Sequence, residues 1–323
     1  MVMNGKGSHR GVSRLYRVSV GISRCVSIRF AVPVFLYFGI LTVLGAVVGC
    51  QSPKSTYPPI HDLNAERQLL RGRELVEGFA ACGFCHSMEA TPGQSLGGGR
   101  LFRDSYGLIR PGNITVDETG IGNWNVSSIR MVLREGKRPD RSRLAPHSHK
   151  GAEWMSDRDI DAITAFIRYL PAAKSSIPRR EISFFNRNFR GFWETHGNVK
   201  GYVPETSRQH SVEYGKYLVD HVARCSACHN KPSGLFSSEA YLQGGKQIVI
   251  DGDFRFAPNI TQSTSSGLGN WTEKEIKIFL TTGRTPKGRD VNARFCPVGF
   301  YAKAPRNDIE AVVSYLRTVK GDG

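Results

Sequence analysis

Methionine is scarce in this chain and absent from its second half. Only five of the 323 residues are Met, at positions 1, 3, 88, 131 and 155. Residues 156–323 therefore cannot supply a thioether ligand to a metal centre, and a centre in that half has no Met ligand from its own half.

Long apolar runs are also scarce. Only residues 30–49 are long and apolar enough to cross a bilayer, and the segment before them carries six Lys or Arg and no acidic residue. This layout predicts a signal peptide over residues 1–50. The run ends in Val47-Val48-Gly49-Cys50, which resembles the lipobox of bacterial lipoproteins. The resemblance implies cleavage before Cys50 and a diacylglycerol on its sulfur. An uncleaved anchor helix is the alternative, and either places the remaining chain outside the cytoplasm, tethered to a membrane.

The positions of the seven cysteines do not indicate a disulfide framework. Cys25 lies in the leader, Cys50 is the lipidation candidate and four others fall in two identical motifs. Only Cys296 is left over. An extracytoplasmic compartment permits disulfides, so the motifs indicate that the cysteines serve another chemistry.

Both motifs, at residues 82–86 and 225–229, read C-x-x-C-H. At this spacing two thiols add to the two vinyl groups of one haem, and the adjacent histidine binds the iron from the proximal side. A lone C-x-x-C is also compatible with a zinc or dithiol site. Two copies, each followed at once by His in an exported chain, predict two covalently bound haem c groups. The predicted attachment and proximal residues are Cys82, Cys85 and His86, and Cys225, Cys228 and His229.

The sequence around the motifs also repeats. Asn113-Ile114-Thr115 returns as Asn259-Ile260-Thr261, and a G-x-G-N-W segment ends at both Trp124 and Trp271. Helical periodicity precedes each motif, follows each Trp and closes each half. Thr272 with Glu275, Ser156, and the glycines 136 and 283 are the expected helix caps. The predicted organisation is a leader over 1–50, a tether over 51–66, one domain over 67–172, a linker over 173–207 and a second domain over 208–323.

The order C-x-x-C-H, N-I-T, G-x-G-N-W and closing helix resembles the cytochrome c subunit of membrane-bound alcohol, aldehyde and gluconate dehydrogenases, over about residues 68–320. The resemblance implies an all-α fold of two tandem class I cytochrome c domains. It also implies that electrons pass from a dehydrogenase partner to ubiquinone or a terminal oxidase. The chain has two haem motifs where that family has three, and it lacks the C-terminal amphipathic anchor, so direct quinone reduction is not predicted.

The family places a methionine, as the sixth iron ligand, on the loop before the closing helix. Counting twelve residues back from Asp159 and Asp308, the starts of the two closing helices, reaches His147 and Cys296. Both can bind iron, so we predict His147 as the distal ligand of the first haem and Cys296 as that of the second. Alternatives stay open: Cys296 as a small buried hydrophobe, and His147 and His149 as loop residues beside a Met155-ligated or open iron.

These features predict a periplasmic electron-transfer cytochrome that accepts electrons from a dehydrogenase and passes them to an oxidase or another cytochrome. The alternative is a His/Cys-ligated haem enzyme of thiosulfate oxidation, and a weaker one is a peroxidase or gas sensor with an open iron. The formal net charge is +16, or +10 without the six basic residues of the leader. This remaining charge favours acidic partners or an anionic membrane surface, and no nucleic-acid-binding motif accompanies it.

We expect lipidation at Cys50 to hold the protein on the membrane. Mass spectrometry of the mature N-terminal peptide should show an acyl-modified Cys50, and Cys50→Ser should move the protein from the membrane to the soluble fraction. Cys25→Ser is the matched control, because Cys25 lies in the cleaved leader, and should change nothing. A mature N-terminus well away from Cys50, without acyl mass, would contradict the lipobox interpretation.

Overall fold

Short and medium helices, in the same order in both halves of the chain, make up most of the structure. The computed structural model describes residues 63–145, 148–182, 184, 199–232 and 239–321. The predicted leader, most of the tether, Cys50 and His147 lie outside these residues. None of the helices in the described part of the chain combines the length and apolarity needed to cross a bilayer.

The elements of each half follow one another in the same sequence. The first half contains α1 (Leu63–Val76), α2 (Cys82–His86), β1 (Phe102–Asp104), β2 (Gly107–Ile109), α3 (Val126–Glu135), a 3₁₀ turn (Ala152–Trp154) and α4 (Asp157–Tyr169). The second half contains α5 (Ser211–Tyr217), a π-helical turn (Leu218–Val222), α6 (Ser226–His229), β3 (Gln247–Ile250), β4 (Asp253–Phe256), α7 (Glu273–Thr282), α8 (Val298–Tyr301) and α9 (Arg306–Leu316).

The predicted helix caps are confirmed. Thr272 and Glu275 form a reciprocal capping box at the start of α7. The Ser156 hydroxyl accepts a hydrogen bond from the Asp159 N–H at the start of α4. Gly136 and Gly283 end α3 and α7 with positive φ angles of 61° and 75°, a conformation that glycine adopts without a steric penalty.

The first and last helices of each half cross at a glycine. A Cβ atom on Gly72 of α1 would lie 2.0 Å from the Ala162 carbonyl oxygen of α4. A Cβ atom on Gly215 of α5 would lie 1.9 Å from the Ala311 carbonyl oxygen of α9. Only glycine therefore permits this approach of the two backbones, which brings Leu75 and other apolar side chains of the helices into the core.

A partly buried cation joins the two halves. The Arg71 guanidinium on α1 contacts the Asp159 carboxylate of α4 at 2.8 Å and the Asp308 carboxylate of α9 at 3.2 Å, and it donates to the Tyr214 hydroxyl of α5 at 3.0 Å. Burial is the largest single effect and acts to lower the pKa of Arg71. The hydrogen bond to Asp159 and the electrostatic effects of Asp159, Tyr214 and Asp308 together exceed it, so the pKa is raised. The guanidinium stays charged, and it holds both closing helices against α1 and α5.

The all-α prediction missed a small antiparallel sheet with the strand order β2-β1-β3-β4. The central pair, β1 and β3, joins the two halves, with Phe102 opposite Ile250. Each strand is only three or four residues long, too short for an alternating pattern to stand out, and the central pairing is distant in sequence. One local indication was present: Asp251-Gly252, with φ angles of 50° and 82°, forms the two-residue turn between β3 and β4.

The apolar core is continuous across both halves, so they pack together as one compact unit. The predicted boundaries at residues 172 and 208 remain predictions. Parts of the predicted linker lie against the first half: the Ala173 carbonyl accepts from the Asn113 side chain at 2.7 Å, and the Val203 carbonyl accepts from the Asp157 N–H at 3.0 Å.

Because backbone carbonyls cannot yield to an added methyl group, Gly72→Ala and Gly215→Ala should each lower the free energy of unfolding by about 1–3 kcal/mol or more. Gly299→Ala is the matched control, since its Cβ would meet only Pro92 at 4.0 Å, and it should change stability by less than about 0.5 kcal/mol. Urea unfolding of the three variants measures the difference. Equal stabilities would show that the glycines do not set the helix crossing.

Candidate haem-binding site

Both C-x-x-C-H motifs line one cavity of about 1800 Å³. This exceeds the ~300–1,000 Å³ of an ordinary small-molecule site, and its walls include the apolar side chains of Trp124, Ile163 and Leu280. All six residues predicted to attach haem or to bind iron proximally face this space: Cys82, Cys85, His86, Cys225, Cys228 and His229. The dimensions and the lining fit two large planar apolar groups.

Each motif histidine is oriented by a backbone carbonyl. His86 Nδ1 lies 2.8 Å from the Gly112 carbonyl oxygen, and His229 Nδ1 lies 2.8 Å from the Pro258 carbonyl oxygen. A carbonyl can only accept, so each Nδ1 donates its hydrogen and each Nε2 keeps its lone pair. This is the tautomer that a proximal iron ligand requires.

The N-I-T segments explain why those carbonyls are in place. Gly112 and Pro258 immediately precede the two asparagines. The Asn113 Oδ1 atom accepts from the Thr115 N–H at 2.9 Å, and the Asn259 Oδ1 atom accepts from the Thr261 N–H at 2.8 Å. Each asparagine thus closes a local turn that fixes the chain beside the motif histidine, so the repeated N-I-T is a positioning element of the site.

Burial sets the protonation states of the motif histidines and cysteines in the absence of haem. It lowers the pKa of His86 and of His229, against the opposing effect of their carbonyl hydrogen bonds, so both imidazoles are neutral and able to bind a metal. It also raises the pKa of the Cys82 thiol to about 12 and that of Cys85 to about 11. The thiols are therefore protonated near neutral pH in the absence of haem.

The two motifs are close neighbours. Besides burial, which is the main cause, the Cys228 thiol of the second motif raises the pKa of Cys85 in the first. A Cβ atom on Gly83, inside the first motif, would lie 3.1 Å from the Phe300 ring of α8 in the second half. Two haems attached at these cysteines would therefore be neighbours within one cavity.

The site includes two arginines, Arg100 and Arg224, that the sequence analysis did not identify. Arg100, 3% exposed, donates to the Phe84 carbonyl at 2.6 Å and to the Arg294 carbonyl at 2.7 Å, and it lies over the Phe84 ring. It links the first motif to the chain just before Cys296. Arg224 immediately precedes the second motif, and its charge lowers the pKa values of Cys82 and Cys85 against the larger effect of burial. Its position next to Cys225 was the only indication in the sequence.

Of the two predicted distal ligands, Cys296 lies among the residues that the structure describes and His147 does not. Cys296 lines the cavity and interacts electrostatically with Cys228; burial is the main cause that raises its pKa to about 12. His149 lines the cavity, with its ring centroid 6.1 Å from that of His86. Met155 is 3% exposed in the core and also reaches the cavity wall, whereas Met88 is 66% exposed.

The loop that carries His149 rests on the second half of the chain. The ring of His221, in the π-helical turn, donates from Nδ1 to the Gly151 carbonyl at 3.0 Å. A Cβ atom on Gly151 would lie 2.6 Å from the Asp220 carbonyl oxygen and 3.4 Å from the Arg224 side chain. The loop that lines the cavity beside the first motif therefore packs against residues 220–224, which immediately precede the second motif.

Comparison with known proteins confirms the predicted resemblance. The chain is 30% identical over 293 residues to the fructose dehydrogenase cytochrome subunit of Gluconobacter japonicus, covering 87% of this chain and 57% of that protein. It is 28% identical to the cytochrome c subunit of the quinone-type alcohol dehydrogenase of Gluconobacter oxydans, covering 85% and 59%. It is 27% identical to a dihaem c-type cytochrome of Cereibacter sphaeroides, covering 76% and 84%.

The chain thus spans somewhat more than half the length of these two dehydrogenase subunits. No family model matches the chain. Relatives that are cytochromes c imply covalently bound haem c, in agreement with the cavity and its cysteines.

Stability should fall as the pH is lowered from 7 to 5, in part through His221. Burial lowers the pKa of this residue, against the opposing hydrogen bond to Gly151, so the unfolded chain binds the proton more readily than the folded one. The contribution is fully present above the ordinary histidine pKa of ~6.5 and is lost as the pH falls towards the lower folded value. Urea midpoints of the haem-loaded protein should therefore depend less on pH after His221→Gln.

His210→Gln is the matched control for the substitution itself, since His210 is exposed, and it should leave the urea midpoint at pH 7 unchanged. An unchanged pH dependence in the His221→Gln variant would show that His221 is not the group that titrates.

Proposed function

We propose that the chain is an electron-transfer dihaem cytochrome c that accepts electrons from a dehydrogenase. The observation that carries the proposal is the single cavity that both C-x-x-C-H motifs line. Electron tunnelling weakens steeply with distance, so two redox groups attached at neighbouring points of one cavity form a relay. The protein supplies attachment, orientation and electrostatics, while the haems, when bound, supply the redox chemistry.

The relatives support a dehydrogenase as electron donor. Their names describe cytochrome subunits of fructose, alcohol and gluconate dehydrogenases, three enzymes with different substrates. We propose that this chain likewise serves a catalytic partner and passes electrons to an oxidase or to another cytochrome. The basic charge of the chain favours partners with acidic docking faces.

The location is proposed from the sequence. The apolar run and the lipobox-like ending at Cys50 support an extracytoplasmic protein, anchored to the membrane by lipid and facing the periplasm. Haem attachment at C-x-x-C-H motifs in an exported chain agrees with this location.

The residues around each haem set the direction of electron flow within the proposed relay. A thioether ligand favours reduced iron, whereas an imidazole, and still more a thiolate, favours oxidised iron. We propose Cys296 as the distal ligand of the second haem and an imidazole as that of the first, which makes the second haem the one of lower potential. Electrons then rest on the first haem and leave from there.

Cys296 also favours a second candidate function, a His/Cys-ligated haem enzyme that oxidises thiosulfate. Its place in the cavity beside Cys228 is the observation behind this alternative. The other motifs of the chain are those of the dehydrogenase-linked cytochromes, so electron transfer remains the leading proposal.

Three measurements on the haem-loaded protein test the proposal. Mass spectrometry should show two covalently attached haems. A redox titration should resolve two one-electron steps, and Cys296→Ser should move only the lower one. The matched control Cys25→Ser, in the leader, should move neither.

Thiosulfate added to the oxidised protein separates the two functions. An electron carrier should stay oxidised, whereas a thiosulfate-oxidising enzyme would become reduced. Haem that acid-acetone extracts, or reduction by thiosulfate at a catalytic rate, would contradict the proposed function.

A further inference from the structure

We infer that His149, and not His147, is the distal iron ligand of the first haem. The inference rests on the proposed function, in that it assumes a haem attached at Cys82 and Cys85. Both residues lie on the loop before α4. Counting back from the closing helix predicted His147, and the inference moves the ligand two residues further along the chain, to His149.

The spacing of two imidazole rings carries the inference. The ring centroids of His86 and His149 are 6.1 Å apart, and the ring planes differ by 26°. Two imidazoles on opposite sides of one metal ion place their centroids about 6 Å apart, because each metal–nitrogen bond is ~2.0 Å long and each nitrogen lies ~1 Å from its ring centre. Rings stacked in van der Waals contact would lie closer together, at about 4 Å.

The proximal ring is already oriented for this arrangement. His86 commits Nδ1 to the Gly112 carbonyl, which leaves Nε2 as its metal-binding atom. Both rings line the cavity that contains the attachment cysteines. His149 is therefore the described histidine paired with His86 across the space where the first haem is expected.

The backbone of the two halves gives an independent argument. In the first half the Leu144 N–H donates to the Gly136 carbonyl, and in the second half the Val291 N–H donates to the Gly283 carbonyl, 147 positions further on. The isolated bridges Lys137–Arg143 and Arg284–Asp290 follow the same offset. His149 is five residues after Leu144. If the same offset of 147 positions applies there, the equivalent of His149 in the second half is Cys296.

The closing helices explain why counting back from them gave His147. Helices α4 and α9 begin at Asp157 and Arg306, which are 149 positions apart. The offset therefore grows by two residues between the Leu144 turn and α4. If the two-residue difference lies after the ligand, His149 and Cys296 occupy equivalent positions, each thirteen residues after the glycine that ends the preceding helix.

Local hydrogen bonds fix the backbone of the loop at His149. His149 has a positive φ of 61°, a region uncommon for residues other than glycine but more accessible to histidine than to most. The Ala152 N–H donates to the His149 carbonyl at 2.9 Å, and the neighbouring Gly151 carbonyl accepts from His221. Met155, the competing ligand in this wall, corresponds at the α4–α9 offset to Ala304, a buried residue with no ligating atom.

The test compares three variants of the haem-loaded protein. In His149→Ala, low-temperature EPR should show one of the two low-spin ferric signals replaced by a high-spin signal, and the reduced protein should bind one carbon monoxide per molecule at the opened site. The matched controls His147→Ala and Met155→Leu should keep both low-spin signals. His149→Met should restore a low-spin haem with a raised potential and a sulfur-to-iron charge-transfer band, and it decides the question if His149→Ala does not accumulate.

Two low-spin signals unchanged in His149→Ala, or a signal lost in His147→Ala or Met155→Leu instead, would overturn the inference. Haem counting separates this failure from failure of the proposed function. If the variants still carry two covalent haems, only the ligand assignment is wrong, whereas wild-type protein without covalent haem refutes both.

Discussion

The hydrogen bond from each motif histidine to a backbone carbonyl connects the motif helix to the turn after the sheet, and the arrangement of the site depends on it. It sets the tautomer of His86 and His229, and it joins each short motif helix to the N-I-T turn that follows the sheet. In the first half the same turn continues outward, since the Thr115 hydroxyl accepts from the Ala173 N–H at 3.0 Å. Displacing the turn would therefore disturb both the motif histidine and the chain that leaves α4.

The second constraint is that the two halves share their interior. The Arg71 contacts, the pairing of β1 with β3 and the continuous apolar core connect one half to the other. The consequence for function is local. Arg100 reaches from the first motif to the chain before Cys296, and the π-helical turn that leads to the second motif supports the loop of His149. Each predicted haem site is thus positioned in part by residues next to the other motif.

The sequence predicted the parts that depend on local patterns. The attachment cysteines, proximal histidines, capping residues and helical periodicity follow from spacing, and the structure places the six motif residues in one cavity and confirms the caps. The sheet was missed because its central pairing is distant in sequence and its strands are short. Arg100 was missed because a lone arginine carries no pattern, and its role comes only from burial against Phe84. The choice between His147 and His149 depends on where a two-residue difference falls between the halves, and the backbone hydrogen bonds place that difference between Leu144 and the start of α4.

The central claim is that two haems sit together in one cavity and exchange electrons. It is tested most directly by EPR of the haem-loaded protein, recorded during a potentiometric titration. Neighbouring haems should interact magnetically when both are ferric, so the signal of one should sharpen or shift as the other is reduced. Two signals that titrate independently, each with a shape unaffected by the redox state of its neighbour, would contradict the claim.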